Sequence, residues 1–282
     1  MLRIGATVFA AVLATMSGSA AAELKVLTSN GTSAIVRGIG AEFAKRTGHV
    51  LTYKIDAAVL LQKEIERGEP FDVAVVTRAV AEDLIGQGRM EARTLADVAR
   101  SGIGVAIRAG AAKPDIGTVD AFRRTMLAAK SIAYTTVGGS GIHFLKMAER
   151  LGIADAVKAK MRTQPGLLAE LVAKGEAELA VQQISELLPV AGVELVGPFP
   201  PELQLITLFS AGVSSKSASP EAAQALIRFF RDPEALRVIK ASGMEPPGTW
   251  LCGALQQSRP SRSWRRRRSP ALPRSPRWRP PP

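Results

Sequence analysis

The chain has 282 residues, of which 46% are hydrophobic, 22% charged and 5% aromatic. That length suits one large domain or two of roughly 100–150 residues each, and the composition excludes collagen-like, wholly disordered and disulfide-scaffold classes. One cysteine, Cys252, and two histidines, His49 and His143, exclude a disulfide framework and a multi-cysteine zinc site, so no metal or cofactor is expected. The net charge of +12 is unevenly placed: nine arginines lie in residues 249–282, which contain no acid, and Arg3 stands at the other end. Removing these ten from 37 basic residues leaves 27 against 25 acidic ones, so the body carries only +2 and no specific nucleic-acid partner is expected.

Met1-Leu2-Arg3 forms a short positive region, Ile4–Met16 an apolar run, and Ala20-Ala21-Ala22 a small-residue cleavage site. This pattern predicts an export signal over 1–22 that is cleaved to leave Glu23 first, in the periplasm. The apolar run of 13 residues falls short of the roughly 20 that span a bilayer. At the other end, all three tryptophans, the cysteine and nine of the 18 prolines lie at or beyond residue 246. Without apolar periodicity, 249–282 is expected to be a disordered tail. It is either a polyanion-binding segment or a non-native extension.

Between these ends short apolar runs alternate with helix-period segments. Leu24–Thr28 reads as a strand and Ser33–Thr47 as a helix, with Ile35, Ile39 and Phe43 on one stripe and Gly48 as its stop. Val50–Ile55 is a second strand, followed by Asp56 as N-cap of a helix over Ala57–Arg67. Phe71–Val76 is a near-continuous apolar strand, the mark of a parallel strand covered on both faces. Helix Ala79–Gln87, strand Gly102–Ile107, helix Val119–Ala129 and strand Ser131–Thr135 follow. After a glycine-rich turn come helices Ile142–Leu151 and Leu167–Lys174, strands Glu178–Val181 and Ile206–Ser210, and helix Glu221–Arg231. The alternation predicts an α/β protein with parallel sheets.

In such sheets ligands sit beyond the carboxyl ends of strands, where helix N-termini present free amides. Two loops have that form: Ser29–Ser33, with Asn30, Gly31 and Thr32, and Val137–Gly141, with Gly139, Ser140 and Gly141. Each alone could merely cap a helix or turn the chain; together they read as two jaws for one anion. Arg78, after the 71–76 strand, could fork a carboxylate or lie solvated on the surface. Gln182 and Gln183 could orient a polar ligand or cap a turn. His143, in the first turn of a helix, fits a structural role better than a catalytic one. The dinucleotide fingerprint, the phosphate-binding loop, HExxH and GxSxG are all absent.

Residues 24–43 (LKVLTSNGTSAIVRGIGAEF), 65–76 (IERGEPFDVAVV), 139–152 (GSGIHFLKMAERLG) and 168–185 (LAELVAKGEAELAVQQIS) resemble, in order, the molybdate-binding-like branch of type II periplasmic solute-binding proteins. The resemblance implies an α/β fold of two lobes joined by two crossing strands, with the ligand cleft between them. Its lobes are expected at 23–105 plus 204–248 and at 106–203. It implies a monomer that hands its ligand to an ABC permease in the inner membrane. The family holds its oxyanion with two serines, a helix N-terminus and a tyrosine. Gly31 falls at the first serine position, Ala57 or Ala58 at the second, Ser140 near the helix contact and Gln183 near the tyrosine. With those hydroxyls absent, a small organic carboxylate is the expected ligand rather than a tetrahedral metal oxyanion. The alternative is an enzyme on the same fold, since some similar proteins are isomerases of small tricarboxylates such as aconitate. His143, Asp56 or Glu186 would then supply the base.

Overall fold

A computed structural model describes residues 21–248. The expected export signal, apart from Ala21 and Ala22, and the expected tail lie outside the described residues. The elements are β1 (Glu23–Ser29), α1 (Ser33–Thr47), β2 (Val50–Asp56), α2 (Ala58–Glu66), β3 (Val73–Thr77), α3 (Arg78–Gly86) and β4 (Ala96–Arg108). There follow α4 (Val119–Ala128), β5 (Ile132–Ala133), α5 (Gly139–Arg150), α6 (Ala154–Ala159), β6 (Met161–Arg162), α7 (Ala169–Ala173), β7 (Leu179–Gln183) and α8 (Ile184–Leu187). The chain closes with β8 (Val193–Pro198), β9 (Ile206–Val213), α9 (Pro220–Phe229) and α10 (Pro233–Ala241). Among the described residues no helix is long and apolar enough to cross a membrane.

The fold is two-lobed because β4 belongs to two sheets. Its first half, Ala96–Gly102, pairs with β9 and joins a sheet of order β2-β1-β3-β9-β4. Its second half, from Ile103, pairs instead with β7 and β8, and β7 continues the second sheet to β5 and β6. The chain returns between β8 and β9, where Gln204 accepts from the Ile103 amide (2.8 Å) and donates to its carbonyl (2.9 Å). This side chain gives the Ile103 amide its partner and joins the Phe199 amide on the Ile103 carbonyl, where β4 leaves one sheet for the other.

Period-two alternation gives each sheet two buried faces. In the first, Leu24, Val26, Val73 and Val75 meet α1, α9 and α10 through Ile39, Phe43, Leu226 and Ile239. Leu27, Ala74 and Val76 on the other face meet α2 and α3 through Leu61, Ile65 and Leu84. In the second, Ile103, Val105 and Ile107 pack with Phe122 and Phe144, while Ala106 faces Leu168, Val172 and Leu187. Stacked in this way, each sheet holds its strand ends, and the helix starts beyond them, at fixed places.

Several expectations are corrected. The sheets are mixed rather than parallel: β1 lies parallel to β2 and β3, but β9 runs antiparallel to β3 and β4 because it returns from the second lobe. The strand expected at 102–107 extends from Ala96 to Arg108. The fifth helix begins at Gly139, with Gly138 as N-cap, so Gly139, Ser140 and Gly141 form its first turn rather than a preceding loop. Ala57, not Asp56, is the N-cap of α2, although the Asp56 carboxylate still accepts from the Ala57 amide at 2.7 Å. Helix α10 was not expected, although Asp232-Pro233-Glu234 carries an N-cap, a first-turn proline and a first-turn acid. Gly48 does close α1, in the left-handed conformation at φ 75°.

Candidate ligand-binding cleft

A cavity of about 680 Å3 opens where strands of both sheets end. The first residues of four helices line it: Asn30 and Gly31 in the short 3-10 turn that leads into α1, Ala58 on α2, Thr77 before α3, and Gly138 to Ser140 on α5. Unbonded amides and the positive ends of the helix dipoles therefore converge on one space. Among the described residues no lysine, arginine or histidine lines the cavity, and the ionisable residues that do are Asp56 and Glu186. Any preference for an anion rests on backbone amides and hydroxyls, including those of Thr135 and Ser140.

Of the residues expected at the site, Asn30, Gly31, Ala57, Ala58, Gly139, Ser140, Gln182 and Gln183 line the cavity, and three stand elsewhere. Thr32 is buried in a hydroxyl cluster, 2.9 Å from both Thr28 Oγ1 and Ser29 Oγ, and ties the first loop to the Val75 carbonyl. Arg78 is held by Glu82 (2.7 Å) and Asp97 (2.8 Å), which together keep its guanidinium charged and turned to them. Gly141 packs on the backbone of Thr135: a Cβ there would stand 1.7 Å from the Thr135 carbonyl oxygen. Its role is close approach of α5 to the segment that follows β5.

The two glutamines are committed to the protein. Gln182 accepts from the amides of Leu168 (2.8 Å) and Ala169 (3.3 Å), so it holds the start of α7. The Gln183 amide satisfies its surroundings when its nitrogen donates to the carbonyls of Ser101 and Gly102 (3.1 Å each) and its oxygen accepts from the Thr207 hydroxyl (2.7 Å). It thereby braces β4 against β9 where the sheets part. Next to it Ser185 donates to the Gly31 carbonyl at 2.7 Å, a bond from the second lobe to the first.

Two further lining residues matter: Phe209, which was not anticipated at the site, and Glu186, which was expected only as one candidate base of the alternative enzyme. Phe209, on β9 and 2% exposed, presses on Gly31: a Cβ at position 31 would lie 2.8 Å from the ring edge. Nothing in the sequence marks it apart from other strand hydrophobics. Glu186 is only 7% exposed, and its Oε2 accepts one bond, from the Gln183 amide at 3.1 Å. Burial raises its pKa to about 7, with the Gln183 amide opposing the shift. His143, by contrast, does not line the cavity; its Nε2 lies 2.8 Å from the Leu203 carbonyl and anchors α5 to the returning chain.

Residues 24–245 match a family model described as bacterial extracellular solute-binding protein. Over 230 residues the chain is 34% identical to aconitate isomerase of Pseudomonas sp, spanning 79% of this chain and 87% of that one. It is 24% identical over 250 residues to the molybdate-binding protein ModA of Rhodobacter capsulatus, across 86% and 96% of the two chains. The periplasmic molybdate-binding protein of Azotobacter vinelandii superposes with a TM-score of 0.68 at 21% identity, covering 79% of this chain and 99% of its own. The chain belongs to the bacterial extracellular solute-binding protein family.

Proposed function

We propose that the cleft takes a small organic polycarboxylate and that the protein interconverts its double-bond isomers; the relative at 34% identity, named an aconitate isomerase, supports this reading. The observation that carries the ligand class is the contact between Gly31 and Phe209. A tetrahedral oxyanion needs polar donors on every side. Here the position matched to the first such serine has no room for a side chain, because an aromatic ring occupies it. Ala57 and Ala58 leave the second serine position without a hydroxyl as well. An apolar wall opposite several helix N-termini suits an anion with a carbon skeleton, and about 680 Å3 lies within the usual range for organic ligands. Incubating the full chain with cis- or trans-aconitate and following both isomers by proton NMR tests the activity. Titration calorimetry against molybdate, tungstate and sulfate tests the ligand class. Interconversion is expected, with no heat from molybdate; tight molybdate binding without turnover would refute the proposal.

The second reading is capture of the same class of anion in the periplasm, after signal cleavage, by a monomer that delivers it to an ABC permease. The match to a solute-binding family model supports it. Polycarboxylate binding with no turnover would decide for capture.

A further inference from the structure

We propose that Glu186 is the catalytic proton carrier of this isomerisation: it takes a methylene proton from the bound polycarboxylate and returns it to the far carbon of the double bond. The inference rests on the reading of the cleft as an isomerase site.

A cis–trans change at a carbon–carbon double bond requires that bond to be broken in transit. One route adds a nucleophile, typically a thiolate, and expels it after rotation, but no cysteine occurs among the described residues. The other route is a proton shift. A base removes a proton from the methylene next to the double bond, and the freed electron pair forms a new double bond toward the central carbon. The old π pair then takes a proton at the far carbon. In a propene tricarboxylate the saturated and unsaturated arms exchange roles, so the other geometric isomer forms. One C–H bond breaks and one forms, the base ends as it began, and no oxidant or reductant is needed.

Glu186 fits the geometry of that step. It lines the cleft, the residue is only 7% exposed, and the Gln183 amide engages Oε2. Burial keeps the group divided between its acid and its conjugate base near neutral pH, so it can both take and give a proton. Around it the α1, α2 and α5 N-termini offer amides to the negative charge that spreads onto the ligand carboxylates. A single carboxyl suffices when removal and return occur on one face.

The neighbourhood supplies no stronger competitor. Elements packed on α8 include β4, β7, β8, the 3-10 turn Asn30–Thr32 and the turn Ser242–Met244, whose Gly243 lies against Ile184 and Leu188. Their ionisable side chains are Asp97, Arg100, Arg108 and Glu194; Asp97 is paired with Arg78, Glu194 with Lys113, and none acts as a charge on Glu186. Across the cleft, Asp56 already accepts from the α2 start.

The test compares wild type with Glu186→Gln, Glu186→Asp and Asp56→Asn in the full chain. It measures isomerisation and deuterium uptake from D2O by NMR, and binding of tricarballylate, a saturated tricarboxylate that cannot isomerise, by calorimetry. Glu186→Gln should lose both isomerisation and deuterium uptake by about a hundredfold or more while still binding tricarballylate. Glu186→Asp should keep part of the activity, which separates chemistry from misfolding. Turnover by Glu186→Gln near the wild-type rate, or loss in Asp56→Asn alone, overturns the assignment and leaves the isomerase reading standing. A wild type that binds tricarballylate but does not interconvert aconitate overturns both.

Discussion

Replacing Glu186 by glutamine should stabilise the protein, and only above a certain pH. The substitution keeps an oxygen to accept from the Gln183 amide and removes the charge. In the fold this carboxyl titrates near 7, against 4.5 as the ordinary value, so the folded state holds the proton more tightly than the unfolded chain. Stability from this group is fully present below about 4.5 and is lost as pH rises through about 7, because the unfolded chain releases the proton first. At about 1.4 kcal/mol per pH unit, ionising the buried carboxyl costs about 3 kcal/mol of stability. For a body of this size that corresponds to about 6–12 °C in Tm. Thermal unfolding followed by circular dichroism from pH 4 to 8.5 should therefore show wild type and Glu186→Gln melting together at the acid end and separating by that amount at the alkaline end. A constant difference across the range would refute the claim that burial sets this group's titration.

Gly31→Ser places Cβ 2.8 Å from Phe209; it should cost about 1–3 kcal/mol and weaken tricarballylate binding, read by thermal shift and calorimetry. Gly141→Ala meets the Thr135 carbonyl at 1.7 Å and should displace the α5 start, lowering Tm and abolishing ligand binding together. His143→Ala removes the bond to the Leu203 carbonyl and should cost about 1 kcal/mol in denaturant titration with isomerisation unchanged. Truncation after Pro247 should leave Tm and ligand affinity unchanged, because the described core is closed by Met244, and should reduce retention on a cation exchanger.

The parts of the fold legible in the sequence were those set by local pattern. The stripe of Ile35, Ile39 and Phe43 marked α1, and the apolar run from Phe71 marked β3. What escaped depends on partners far along the chain. That β4 serves two sheets is decided by where β9 and β7 find it, at registers such as Ser101↔Thr207 and Ile103↔Gln183. Alternation in sequence also cannot tell a parallel neighbour from an antiparallel one when both faces are covered. The start of α5 was misplaced because Gly-Ser-Gly reads as a turn by propensity. Packing on Thr135 is what draws those residues into a helix.

The site divides in the same way. The glycine and serine loops were legible because helix starts recur with recognisable residues. The run Gln182-Gln183-Ile184-Ser185 could be marked as one that orients a ligand or caps a turn, but its members could not be sorted, and Glu186 beside it could be named only as one of three candidate bases. The structure gives Gln182 to α7, Gln183 to the strand crossing and Ser185 to the Gly31 carbonyl. Among the described residues Glu186 is the ionisable member of the run, and its carboxylate accepts a single bond, from the Gln183 amide, as part of the cap of α8. That remainder bears on function. In a cleft that merely captures an anion, an ionisable carboxyl at 186 weakens the fold and, once charged, repels the ligand; glutamine would serve better on both counts. A carboxyl at this position is useful where the bound molecule must lose a proton and regain it.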